Sequence, residues 1–215
     1  MTMTEAKIVT VTAANGQDMT ADLENFARSI GLDQTAPGRY SMLLVLGLFS
    51  GLQSGFLHPA KVIDEIKSLE GKGTPSRLKP PIQNKYPPLK GLWHKHYLAG
   101  GLRGMAQNLR NGLIKDGFPW LDQLVQDAER SGEERYITEE RVKMIVKDAV
   151  HDNWLRRASA AELTGEWIIF AKHDDRNYYL ALASHDQSGH DMLRNQIDAL
   201  CCHEFPFLKE LLDHA

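Results

Sequence analysis

The chain has 215 residues, 42% apolar and 25% charged, with a net charge of −3 and a pI near 6.3. This balance suits a globular protein with a sizeable core and excludes a disordered or collagen-like chain, or a small scaffold held by disulfides. The opening MTMTEAK lacks the basic-then-apolar pattern of a secretory leader, and the most apolar run, Met42 to Leu52, falls short of the ~20 residues that cross a bilayer, so the expectation is a soluble, cytoplasmic protein with no membrane association.

In chain order, Lys7 to Ala13 alternates and is β-branched, which predicts a first strand closed by NGQD. TADLENFARSIGL follows as a helix, with Thr20 as its N-cap and Gly31 at its end. Tyr40 to Leu57 is the most hydrophobic element and reads as a buried central helix. Its Gly47, Gly51 and Gly55 recur every four residues and would let a neighbouring helix approach closely. Pro59 suits the first position of the next helix, PAKVIDEIKSLEG.

The segment 71–90 holds Pro75, Pro80, Pro81, Pro87 and Pro88, five of the nine prolines. It reads as an extended basic connector between an N-terminal part (1–70) and an α+β part (91–215), or as an ordered arm within one domain. GLWHKHY then reads as a strand, with His94 and His96 on one face and Lys95 on the other. Leu102 to Lys115, the stretch from Pro119 and the stretch from Thr138 are predicted helices. In the last, Thr138 is the N-cap and Val142, Ile145, Val146, Ala149 and Val150 form the expected buried stripe.

GEWIIFAKHDDRNYYLALASHD reads as a hairpin around HDDRN, followed by a helix through Cys201 and Cys202 and a short helix from near Pro206. The predicted fold class is α+β, a helical body with a small antiparallel sheet formed by the C-terminal hairpin and the strand around Leu92 to Leu98. The two cysteines are adjacent, too close for ordinary disulfide geometry, which agrees with a reducing compartment.

Charge is segregated. From Gly71 to Lys115 there is no Asp or Glu, and the nine cations of that window leave a net −12 on the rest of the chain. Such asymmetry points to an anionic partner, either nucleic acid (RNA favoured) or an acidic protein. It also fits a basic surface packed against the protein's own acidic elements.

No phosphate-binding loop, dinucleotide fingerprint, nucleophile elbow or HExxH pair is present, so no cofactor is expected. His185, His190, Cys201, Cys202 and His203, with Asp186 and Asp191, lie within 19 residues, but their spacing matches no zinc pattern and no metal is expected. What remains is histidine chemistry. An imidazole near neutrality serves as acid or base in metal-independent RNA cleavage. The catalytic candidates are His94, His96, His173, His185 and Tyr178. The phosphate-binding candidates are Lys90, Lys95, Arg103, Arg110 and Lys172, and Trp93 and Tyr97 are candidates for stacking on bases. The functional expectation is a ribonuclease of the bacterial toxin type. The alternative is a non-catalytic module that binds nucleic acid or docks an acidic protein.

Overall fold

A two-residue turn organises the sheet. Asp174 and Asp175 take left-handed φ values of 48° and 57°, the pairing that a tight hairpin needs and that short acidic side chains tolerate. In the computed structural model, which describes residues 9–99, 101–131 and 137–214, this turn joins β3 (Glu166–His173) to β4 (Arg176–Ala183). Antiparallel pairing adds β2 (Trp93–Tyr97) against β3, from Trp93 opposite Phe170 to Tyr97 opposite Glu166. The two-residue β1 (Ile82–Gln83) sits at the outer edge, giving the order β1-β2-β3-β4. This is the expected α+β class.

The hairpin carries a bulge. Ile169 faces Ala181 and Phe170 faces Tyr179, so Leu180 has no residue opposite it. Leu180 and Ala181 therefore both enter the same apolar layer. The Leu180 carbonyl accepts from Ser41 Oγ at 2.5 Å.

One face of the sheet is covered by α1 (Thr20–Ser29), α2 (Leu32–Thr35), α3 (Met42–Gln53) and α4 (Pro59–Leu69). Their buried residues Leu23, Leu44, Leu48, Val62 and Ile66 meet Ile168, Phe170, Tyr179 and Tyr97. The chain then forms α5 (Gly101–Asp116), α6 (Pro119–Ser131), α7 (Glu139–Val146), a π-turn at Lys147–Asp152 and α8 (Asn153–Ser159). The opposite sheet face is covered by α9 (His190–Gln196), a second π-turn at Ile197–Cys201, α10 (Cys202–Glu204) and α11 (Phe207–Asp213). There Ile169, Ala171 and Leu180 pack on Ile197, Cys201, Phe205 and Leu208. Among the described residues no helix is long and apolar enough to cross a membrane.

Four local expectations need correction. The described part of the first predicted strand, from residue 9, makes one bridge, Thr12 with Asp18, and no strand; Lys7 and Ile8 lie outside the described residues. Thr20 does not cap its helix. Asp18 Oδ1 accepts from Thr20 N at 2.8 Å, while Thr20 Oγ1 accepts from Val11 N at 2.9 Å and ties down the preceding segment.

The glycines of α3 do not seat another helix. A Cβ at Gly47 would meet Leu182 of β4 at 3.7 Å, one at Gly51 would meet Leu57 at 2.9 Å, and Gly55 lies beyond the helix with φ +70°. The stripe on α7 is not buried either: Val142, Val146 and Val150 are exposed. The π-turn adds a residue to one helical turn and rotates the face, so Asp148, Asn153 and Arg157 point inward instead. Asp148 Oδ2 accepts from Trp120 N at 3.1 Å, near the start of α6, and Oδ1 from Arg156 Nη1 at 2.8 Å.

The proline-rich segment is ordered along the sheet. Leu78 and Leu89 are buried, Leu78 bridges Leu163, and Asn84 N donates to Leu92 O at 2.8 Å. Its fixed backbone surrounds the amine of Lys95, a lysine only 2% exposed. Lys95 Nζ donates to Ser76 Oγ at 2.8 Å, Lys79 O at 2.8 Å and Leu78 O at 3.3 Å. Those three acceptors take the ammonium protons, and Glu65 of α4, with Oε2 3.2 Å away, balances the charge. Burial pulls the Lys95 pKa below the ordinary lysine value, and the Glu65 charge opposes that shift.

Removing one partner of such a pair leaves a buried charge alone. Lys95→Met should lower stability by about 3–5 kcal/mol, and the double variant Lys95→Met/Glu65→Leu should recover part of that loss. Urea unfolding of the two single variants and the double variant measures this. Additive effects would show that the two charges are not coupled.

Candidate functional site

Period-two alternation directs His94 and His96 to the sheet face away from Lys95. The register then brings His96 opposite Trp167 of β3 and Trp167 opposite Ala183 of β4. His185 follows β4 directly, and His190 opens α9. Four histidines separated by up to 96 positions in the chain thereby gather around one indole.

His94 stacks on Trp167, with centroids 4.2 Å apart at 20°, and meets His96 edge-on at 5.6 Å. His185 stacks on His96 at 5.1 Å and lies 5.0 Å from Trp167, with His190 at 5.3 Å on the same indole. His94, His96 and His190 are 8%, 3% and 6% exposed, and His185 is exposed.

The hydrogen bonds assign the tautomers. Asn84 Nδ2 is committed to Leu92 O, so its Oδ1 faces His94 and accepts from Nδ1–H at 2.8 Å. The Gly165 carbonyl accepts twice, from His96 Nδ1–H at 2.8 Å and from His185 Nε2–H at 2.6 Å. His190 Nε2–H donates to Ser184 O at 2.9 Å. In His94 and His96 the second nitrogen keeps its lone pair. Gly165 fits because a Cβ there would lie 1.9 Å from the Tyr97 carbonyl oxygen.

Electrostatics keeps the two strand histidines neutral. Burial lowers the His94 pKa to about 4, helped by the charges of His96, His185 and His190. Burial likewise lowers His96 to about 4. The Gly165 hydrogen bond opposes this shift, while His185, Lys79 and Lys95 reinforce it. Both imidazoles are therefore bases at neutral pH. The Trp167 indole Nε1 is buried with no hydrogen-bond partner among the described residues.

His94, His96 and His185 of the expected set thus come together. His173 does not: it lies six residues from Trp167 along β3, ~20 Å at strand rise, where it stacks on Phe207 at 4.1 Å. Tyr178 is at that same end, against Phe205 and Phe207.

The expected phosphate contacts also scatter. Lys95 is the buried partner of Glu65, and Lys172 lies over Trp93, 3.9 Å from its ring centroid, on the other sheet face. Lys90 and Arg110 are exposed, Arg110 beside Leu109 and Leu113 on α5. The side chain of Arg103 lies outside the described residues. Trp93 and Tyr97 pack into the layer shared with α1 to α4, and Tyr97 is 5% exposed, its hydroxyl pKa raised by burial. Other cations of the acid-free window are also occupied: Lys72 Nζ donates to Gln34 O and Thr35 O, and Lys115 pairs with Glu162.

Sequence reasoning missed Trp167, His190 as a member of this cluster, and Asn84. Trp167 was legible as an inward strand position, but only the β2–β3 register puts it opposite His96. Among the described residues no group of three or more His, Cys, Asp or Glu is arranged to hold a metal ion. Cys201 and Cys202 are buried free thiols, and burial pushes Cys201 up to about 12. No protein-family model, curated protein or solved structure matches the chain.

The unfolded chain protonates histidine near 6.5, whereas folded His94 and His96 resist protonation down to about 4. The unfolded state binds more protons in that window, so stability is complete above pH ~6.5 and falls as the pH drops towards 4. The loss should reach on the order of 3 kcal/mol per histidine. His94→Phe, which keeps a ring on Trp167, should flatten part of this slope. Urea midpoints measured between pH 4 and 7 test this, and an unchanged slope would refute the assignment to His94.

Proposed function

We propose that this chain is a metal-independent ribonuclease whose acid–base chemistry runs at the His96–His185 edge of the histidine cluster. The observation that carries this reading is the convergence of His94, His96 and His185 around Trp167. It changes the pairing expected from GLWHKHY: the second reacting histidine is His185, the exposed member, and His94 orients the group through its stack on Trp167.

In this mechanism His96, held neutral, takes the proton of an RNA 2′-hydroxyl. The 2′-oxygen attacks phosphorus, the bond from phosphorus to the 5′-oxygen breaks, and protonated His185 returns a proton to that leaving oxygen. The products are a 2′,3′-cyclic phosphate and a 5′-hydroxyl. Lys79, whose charge reaches His96, is suited to stabilise charge on the non-bridging oxygens. A base with a pKa near 4 puts the acid limb of the rate profile there.

Incubation of the protein with RNA in EDTA tests the proposal. We expect cleavage to cyclic-phosphate ends, retained down to about pH 4, and reduced ~10²–10⁴-fold in His185→Asn with folding unchanged. Full activity in His185→Asn, or salt-sensitive RNA binding with no cleavage by the native chain, would overturn it. The second outcome favours the non-catalytic binding module.

A further inference from the structure

We infer that the shallow groove of about 410 Å³ lined by Lys79, Asn111, Ile114, Lys115, Arg157 and Glu162 is a binding track for the phosphodiester backbone of single-stranded RNA. The choice of RNA as the strand rests on the ribonuclease reading; the anion-binding character of the groove does not.

Three cations line this groove against one carboxylate, so the groove keeps a net positive charge although that carboxylate holds Lys115 and lies near Arg157. Glu162 pairs with Lys115, and its Oε2 is 3.8 Å from Arg157 Nη1. Arg157 is 4% exposed, and its Nη2 donates to Glu162 O at 2.5 Å, but its Nε is buried with no hydrogen-bond partner among the described residues. Arg157 thus adds a buried positive charge at the groove lining, which favours an anion there. Asn111 Oδ1 is taken by Gln107 Nε2 at 2.8 Å, so Asn111 offers its own amide hydrogens. Ile114, 73% exposed, supplies an apolar surface for a sugar or base.

The backbone links the groove to the histidine cluster. Lys79 N donates to Leu163 O at 3.1 Å and Lys79 O accepts from Lys95 Nζ at 2.8 Å, which fixes its backbone. The Lys79 charge acts on both Glu162 and His96. Residues 162–165 run from the groove to the carbonyl shared by His96 and His185, a span of ~10 Å. Backbone oxygens bound along the groove would lead a strand to the reacting edge.

Full-length His185→Asn protein with a fluorescein-labelled ten-nucleotide oligouridylate, in EDTA, gives the test by anisotropy over a salt series. We expect Lys79→Gln/Lys115→Gln to weaken binding at least tenfold at low salt. The slope of log affinity against log salt should shrink by about 1.4, two phosphates at about 0.7 each. Lys209→Gln, on the exposed side of α11, should leave both unchanged. No binding by the parent protein, or binding unaffected by the double substitution, would overturn the track. Groove-dependent binding by a native chain that never cleaves supports the track while removing the ribonuclease reading. Cleavage with groove-independent binding does the reverse.

Discussion

Burial of β2 on both faces is the constraint on which the rest of the structure depends. A strand written His-Lys-His between aromatics is polar, and it lies between two apolar layers. Each polar group must then find a partner or carry a desolvation cost. Lys95 finds three oxygens on the proline-rich segment and the Glu65 carboxylate on α4. His94 finds Asn84, and His96 finds Gly165. These bonds reach 71–90, α4 and the residue before β3, so one strand ties three other parts of the chain into register. The proline-rich segment is held because its carbonyls are the acceptors that Lys95 requires.

The same burial sets the electrostatics of the candidate site. Strand histidines left in water would keep a pKa near 6.5 and charge reversibly near neutrality. Packed against Trp167 and one another, His94 and His96 remain neutral to about pH 4. Each holds one nitrogen against an oxygen and keeps a lone pair on the other. The exposed His185 shares its carbonyl acceptor with His96, so the cluster grades from an enclosed base to a solvent-facing ring within 5.1 Å. On the proposed reading, that gradient separates the two proton-transfer roles.

The helical layer from α5 to α8 follows a different rule. Its inward groups are Asn108, Asp148, Asn153 and Arg157 rather than the valines of α7. Asn108 donates to Gly104 O and Thr164 O and accepts from Thr164 N, and Asn153 donates to Leu109 O, so the layer is joined by side-chain to backbone bonds. A Cβ at Gly112 would fall 1.7 Å from Asn153 Oδ1, which shows how closely α5 and α8 approach. Arg157 borders the groove because the π-turn carries it inward.

Local patterning by itself determined much of this protein. The alternation of β3 and β4 around HDDRN, the N-cap at Thr138, the proline that opens α4 at Pro59, the opposed faces of His94 and Lys95, and the α+β class all follow from residue type and spacing, because each depends on neighbours a few positions away. The tertiary structure alone decided which histidines meet. His173 was as eligible as His185 by composition, yet only the β2–β3 register decides which end of the hairpin His94 and His96 meet. It also decided the fate of the acid-free basic window. Charge counted along the chain is blind to burial, and once folded, Lys95 is neutralised inside while Lys72 and Lys115 find oxygen partners. Partners in folded space come from pairing and packing between distant segments, and no local spacing encodes them.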